Sequence, residues 1–288
     1  MRITFSLVCL FVGIFLLAAL PISLQVTDGE LTINTQSMIE FAKNYVVGLF
    51  HGESFIYEEG KGRSYNILKD LPDYFLTSFQ YLLIAGMLTV SIGIVFSTWL
   101  SKSKKDWIKD IIGFLGTIPD FILVLILQLS VVSINQAIGF TLISVASLST
   151  ESKAFLLPLI TMTLVPAIYL IRTLSERTYD VLSEEYILTA KAKGLKKRYI
   201  YIHHVIRNVI PYLKADLHKV TSIMMSNLFI VEYLFNIRGV TRILFGSDTA
   251  YQYNLAVNTL VSLVLLYLLI YWCIRFMIMV LERVFTHE

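Results

Sequence analysis

The sequence predicts an all-α membrane protein of about six transmembrane helices, with a long extracytoplasmic first loop and a helical cytoplasmic loop. Three observations lead there. Hydrophobic residues make up 56% of the 288 residues, above the roughly 45–50% of soluble domains, and the mean hydropathy is +0.69. Apolar runs near the ~20 residues that cross a bilayer's hydrocarbon core recur along the chain. The net charge is only +3, yet Lys and Arg gather in two short segments, the pattern that marks cytoplasmic loops.

The first span is Ile3 to Leu24. Its apolar run exceeds the roughly 7–15 residues of a secretory-signal core, and Ala18-Ala19-Leu20-Pro21 is a poor cleavage site, so it is read as a retained anchor. The loop at 25–72 follows, with Asp28, Glu30, Glu40, Glu53, Glu58, Glu59 and Asp70 placing it outside. Tyr45, Phe50, Phe55, Tyr57 and Tyr65 give it apolar material to fold against the outer membrane face, and Gly48, Gly52, Gly60 and Gly62 are expected turns. Leu71-Pro72-Asp73 marks the entrance to the membrane domain at 73–288.

That domain holds clear spans at Asp73–Leu100, Ile111–Ile134, Phe155–Thr173 and Leu255–Leu281. A weaker one at Leu217–Phe235 begins with His218 and Lys219. Lys102, Lys104, Lys105 and Lys109 put one loop inside, and Lys191, Lys193, Lys196, Lys197, Arg198 and Arg207 put a second there. The segment Ser133–Lys153, with Lys153 its only basic residue, faces out. Alternation of sides then leaves both termini cytoplasmic. Pro119, Pro158 and Pro166 fall within spans, where such breaks mark either a packing kink or a pathway. Cys9 and Cys273 both lie in spans, so neither a disulfide framework nor a Cys metal cluster is expected.

The second cytoplasmic loop, about 175–215, carries the strongest local signal. Ser183 is placed to cap a helix with Glu184 and Glu185 in its first turn, Lys191 and Lys193 in its last, and Gly194 at the left-handed stop. Ala190 and Ala192 keep that helix thin enough for close approach by another protein, and Tyr186 offers an interfacial ring. A second helix starts near Lys196, with Ile202, Ile206 and Val209 on one face, and ends at Pro211. The competing reading is a basic helix lying on anionic lipid, although the caps and the glycine describe a compact two-helix unit.

The run Glu185-Tyr186-Ile187-Leu188-Thr189-Ala190-Lys191-Ala192-Lys193-Gly194-Leu195 resembles the EAA coupling loop of inner-membrane permeases in ATP-binding-cassette importers, in the version of the dipeptide, oligopeptide and nickel group. His204, Arg207-Asn208 and Arg172 also match that group. Gly52-Glu53-Ser54 vaguely resembles its Gly-Asp-Leu-Gly segment, Ile118-Pro119-Asp120-Phe121 its Pro-x-Phe, and Glu232-Tyr233-Leu234-Phe235-Asn236-Ile237-Arg238-Gly239 its Glu-x-x-Phe-Asn-x-Pro-Gly. Leu188 stands at a commonly basic position, Arg238 replaces the Pro, Pro211 sits about one residue early, and Leu281-Glu282-Arg283 replaces an Asp-Pro-Arg ending.

The resemblance implies a type I importer permease fold. The chain would be half of a translocation pathway for peptides, in a bacterial inner membrane, with nickel or a metal–chelator complex as the alternative cargo. It also implies a second homologous permease, two cytoplasmic ATPase subunits that bind ATP and Mg, and an extracytoplasmic binding protein. Glu185, Tyr186, Thr189, Ala190, Lys191, Ala192, Lys193 and Gly194 would make the ATPase-coupling contacts. Candidates for the pathway or gate are Glu232, Asn236, Pro119, Asn227 and Gln128. For Glu232 the alternative is an interfacial ion pair with Arg238 or Arg242. For Asn227 and Gln128 it is a helix-bridging hydrogen bond.

No catalytic or cofactor site is expected in this chain, since it has no G-x-x-x-x-G-K-[ST] phosphate cradle, no H-E-x-x-H and no G-x-S-x-G. His203, His204 and His218 have no acidic or Cys companions at ligand spacing, so no metal site is expected either. An oligomeric ion channel or a membrane enzyme is the reading from another class, and no filter-like segment supports the former. Nothing in the chain points to nucleic acid.

Overall fold

The structure, a computed structural model, describes residues 2–27, 30–59, 63–101, 106–141, 143–147, 154–245 and 251–286. Asp28, Gly60, Gly62, Lys102, Lys104, Lys105 and Lys153 lie outside the described residues. Among those described, five helical stretches are long and apolar enough to cross a membrane: Thr4–Ser23, Ile67–Leu100, Asp120–Ile138, Leu156–Leu182 and Tyr253–Arg283. The chain divides into two compact units, Met1–Ser78 with Arg238–Leu266, and Phe79–Ile237 with Tyr267–Glu288.

The first unit contains α1 (Arg2–Ser23), a hairpin of β1 (Leu24–Thr27) and β2 (Glu30–Ile33), α2 (Thr35–His51), a second hairpin of β3 (Ile56–Glu59) and β4 (Arg63–Asn66), and the start of α3 (Ile67–Leu100). Among its described residues the first loop holds a helix and two short antiparallel hairpins, which are added to the helical fold. Asn34 caps α2, its Oδ1 accepting from the Ser37 N–H at 3.2 Å. Met38, Phe41 and Tyr45, at helical spacing, pack on Ile14, Ala18 and Ala19 of α1. The Tyr45 hydroxyl donates to Asn258 Oδ1 at 2.9 Å, and burial raises its pKa above 10.0. Gly52 is the left-handed stop of α2 (φ 80°), as expected, but Gly48 is not a turn. It lies inside α2, where an added Cβ would stand 2.5 Å from Ser54 Oγ. Close packing, not bending, is its use.

The second unit carries the rest of α3, then α4 (Asp106–Leu115), α5 (Asp120–Ile138), α6 (Leu156–Ser183), α7 (Glu185–Ala192), α8 (Lys197–Tyr199), a π-helical segment (Ile200–Ile206) and α9 (Arg207–Leu234). Residues 240–245 form α10 in the first unit, and α11 (Tyr253–Thr286) runs through both. The expected span Ile111–Ile134 is broken between α4 and α5. Pro119 causes this: it has no N–H to donate and restrains Ile118 from helical geometry, and it stands at the N-cap of α5 (φ −56°, ψ 139°). Pro72 does not mark a helix start, because α3 begins earlier, at Ile67.

Helices α6 and α9 form the core of this unit, each 28 residues long. Leu157, Met162, Leu170 and Leu174 are buried on α6, and Leu213, Leu217, Met224 and Leu228 on α9. Gly86 and Gly93, two turns apart on α3, admit Ile274 and Leu170 so closely that a Cβ would meet them at 2.6 and 2.4 Å. Small residues at such contacts let membrane helices approach. The weak span at Leu217–Phe235 is helical as part of α9, which runs on past Pro211 instead of starting after it.

Candidate functional site

Helix α6 is about 42 Å long at 1.5 Å per residue, more than the ~30 Å a hydrocarbon core requires. Its last turns carry Glu176, Arg177 and Asp180, so the excess is built for water. At Ser183 the chain turns. Ser183 does not cap α7, since its hydroxyl donates back to Tyr179 O at 3.1 Å as the last residue of α6. Glu184, extended at ψ 146°, takes the N-cap position without a side-chain hydrogen bond.

The short helix α7 rests on α6 and on the π segment by a narrow face of two residues, Ile187 (0% exposed) and Ala190 (6%). Ala190 therefore faces its own chain, and not a partner as the thin-helix expectation had it. Its small side chain lets α7 lie close to its support. Outward stand Glu185, Tyr186, Thr189, Lys191, Ala192, Lys193 and Gly194. Burial, then the Glu184 carboxylate and Tyr212, push the Tyr186 phenol above its usual 10.0, and its ring lies 6.4 Å from that of His204.

Gly194, at φ +76°, closes α7 as expected. Its N–H donates to Lys191 O at 3.0 Å and the next N–H, of Leu195, reaches Ala190 O at 3.3 Å, the paired bonds of a Schellman stop. Nothing lies within 4 Å of where its Cβ would be. The backbone angle, not space, calls for glycine.

After Lys196 the chain re-enters a helix that does not end at Pro211. The buried positions are Ile200, Val205 and Val209, not Ile202 and Ile206, which are only half-buried. A spacing of five between the first two is the signature of the π segment, which inserts one residue per turn and rotates the face. Leu188 (54% exposed) and Ala192, four residues apart, are exposed apolar residues on the outer side of α7, and Leu195 is exposed beyond the Gly194 stop. Sequence reasoning did not single out Leu188 as part of an exposed apolar face, although the spacing of four to Ala192 was the available signal.

The five pathway candidates do not share one site. Gln128 donates through Nε2 to Leu234 O at 3.1 Å, and Asn236 through Nδ2 to Ser147 O at 2.7 Å, so both secure the end of α9. Asn227, fully buried, donates to Thr161 O at 3.1 Å, while its Oδ1 has no hydrogen-bond partner among the described residues. Pro119 is exposed at the α4–α5 break. Beside that break lies a cavity of about 200 Å³, lined by Ile118, Asp120, Ile168, Tyr169, Arg172 and Ile223 among others. Glu232 is 1% exposed, and its backbone carbonyl accepts from Ile237 N–H at 3.0 Å. Among the described residues no three His, Cys, Asp or Glu side chains stand together as a metal cluster would need.

Membrane-length helices and the short, largely exposed α7 define a multi-pass membrane protein with an exposed helical elbow. The chain belongs to the family of binding-protein-dependent transport system inner membrane components, which matches residues 89–287. It is similar to the oligopeptide transport system permease protein AppB of Bacillus subtilis (strain 168), 28% identical over 230 residues that cover 76% of this chain and 71% of that protein. It is also similar to the nickel import system permease protein NikB of Staphylococcus aureus (strain bovine RF122 / ET3-1), 24% identical over 234 residues, 79% of this chain and 66% of that protein. The chain is thus a multi-pass inner-membrane component of a binding-protein-dependent transporter, with the fold of the type I permeases.

Proposed function

We propose that this chain is one of two homologous permease subunits of an ATP-driven importer for short peptides, and that α7 is where its motor grips it. The exposed, self-capped α7, held on two long helical arms by only Ile187 and Ala190, is the observation that supports this most directly. A rigid lever needs a firm stop and a free outer face, and α7 has the Gly194 stop and exposed outer residues.

On this reading α7 faces the cytoplasm with both termini, and a pair of ATPase subunits binds it. Glu185, Thr189, Lys191 and Lys193 supply polar contacts, and Leu188, Ala192 and Leu195 apolar ones. ATP and Mg belong to those subunits, and this chain has no catalytic site or cofactor of its own. Nucleotide-driven closure pulls the two elbows together, and α6 and α9 transmit the motion as rigid bodies. A binding protein outside delivers the cargo. Glu232, a carboxylate buried near the outer end of α9, is the candidate for contact with the pathway, because such a group is costly in a membrane without polar surroundings.

The nickel permeases among the relatives keep metal import as a second reading. Isolation of the cognate binding protein with its native ligand separates the two: mass spectrometry should find peptides and elemental analysis no stoichiometric nickel. Purification through a tag on this chain should bring an ATPase and a second permease, and a self-assembled oligomer that conducts ions would overturn the transport reading.

A further inference from the structure

We propose that the groove between α9 and α11, at the elbow end of the second unit, binds the headgroup of an anionic phospholipid through Arg275. This site is separate from the coupling elbow, and only the naming of its leaflet as the inner one rests on the orientation proposed above.

Depth is the first observation. Arg275 lies in the last third of the apolar stretch Tyr253–Arg283, so its guanidinium stands toward one face of the bilayer and not at its middle. Facing it, Lys214 and His218 are on the part of α9 nearest the elbow.

The second observation is charge. Among the described residues Lys214, His218 and Arg275 stand there with one carboxylate, Glu282, and Lys214 is ion-paired with it. Among the described residues no carboxylate pairs with Arg275. An exposed cation on a membrane-spanning helix is costly unless an anion or water meets it. Its neighbours hold it without neutralising it: Nη1 donates to the Tyr271 hydroxyl at 2.8 Å, and the guanidinium lies 5.9 Å from the Tyr271 ring centre and 5.8 Å from that of Trp272. The His218 ring stacks on Tyr271 at 4.2 Å and reaches the Tyr267 hydroxyl at 2.9 Å. Most of the guanidinium's five donors therefore stay free for a phosphate.

The third is the surface around it. Leu265, Leu268, Leu269, Trp272 and Phe276 are all exposed on α11. An exposed apolar strip running past a basic group, with Trp272 beside it, gives an acyl chain a surface next to a headgroup contact. A net positive groove favours a headgroup that is anionic overall over a zwitterionic one, whose own ammonium would meet Lys214 and Arg275.

The full chain, purified with whatever subunits accompany it and stripped of lipid, is titrated with dioleoyl phosphatidylglycerol or dioleoyl phosphatidylcholine, and adducts are counted by native mass spectrometry. Wild type should retain phosphatidylglycerol in preference. Arg275→Gln should weaken that lipid about five-fold and leave phosphatidylcholine unchanged, and Arg275→Lys should keep most of the preference. Equal binding of both lipids, or an unaltered preference in Arg275→Gln, would overturn the site. So would equal loss in the Lys and Gln variants, which would show packing rather than charge. Phosphatidylglycerol binding to the isolated chain but not to its complex would show the groove to be a subunit contact instead.

Discussion

Helix α7 stops at Gly194 and helix α9 stops at Asn236, and both stops use the same pair of backbone hydrogen bonds. At α9 the Asn236 N–H donates to Tyr233 O at 3.3 Å and the Ile237 N–H to Glu232 O at 3.0 Å, the same pattern as at Gly194. Each stop residue is left-handed, φ 76° for Gly194 and 55° for Asn236. What differs is the side chain. Gly194 has open space around it and presents nothing, which suits a surface another protein must approach. Asn236 uses its amide to hold Ser147 O, and Ser147 N–H returns a bond to Phe235 O at 3.0 Å. One stop keeps a face clear and the other ties two segments together, so the residue type reports which job the turn does.

The largest expected effect comes from breaking the clear one. Gly194→Val forces a β-branched residue into left-handed geometry, at about 2 kcal/mol or more, in a helix held by two buried side chains. Cargo-stimulated ATP hydrolysis by the assembled transporter in proteoliposomes should fall at least about ten-fold, with membrane insertion intact. Gly194→Asn, which tolerates this φ, should stay within about two-fold. Full activity in the Val variant would mean that α7 does not need its turn.

That stop was legible in the sequence because Gly after a Lys-rich last turn is a strong local signal, and five of the spans were legible from composition. The break at Pro119 and the route through Pro211 were not. Both prolines look alike in sequence, yet Pro119 is itself extended at the N-cap of α5 (ψ 139°) while Pro211 stands just after a π segment whose hydrogen bonds already skip a residue. The same π insertion hid the buried face, because Ile202 and Ile206 fit a period of 3.6 and the chain does not keep that period there. Gln128 and Asn236 read as pathway candidates since polar residues in apolar runs attract that reading. Their partners are backbone carbonyls distant in sequence, which no spacing rule reveals.

Asn236 sharpens the comparison with two variants. Asn236→Ala loses both the φ tolerance and the bond to Ser147 O, so thermal unfolding in detergent should show about 2–3 kcal/mol of destabilisation. Asn236→Gly keeps the φ and loses only the amide, for about 1 kcal/mol. Equal losses in both would assign the whole effect to the tie and none to the left-handed turn. Gln128→Leu, which leaves Leu234 O without its donor, should cost a similar ~1 kcal/mol.

The smallest effect belongs to the exposed end of α6 that leads into the elbow. Arg177 pairs with Asp180 at 3.7 Å, with 55% and 65% of those side chains exposed, and lies 5.2 Å from the Tyr212 ring centre. Water and salt screen such a pair, so Arg177→Ala should change stability by no more than about 0.5 kcal/mol, and added salt should leave wild type and variant equally stable. A loss as large as that of Gln128→Leu would show that the elbow is braced by exposed charges. The Gly194 stop would then share its work with the arm that leads into it, since charges on α6 would be holding the elbow in place.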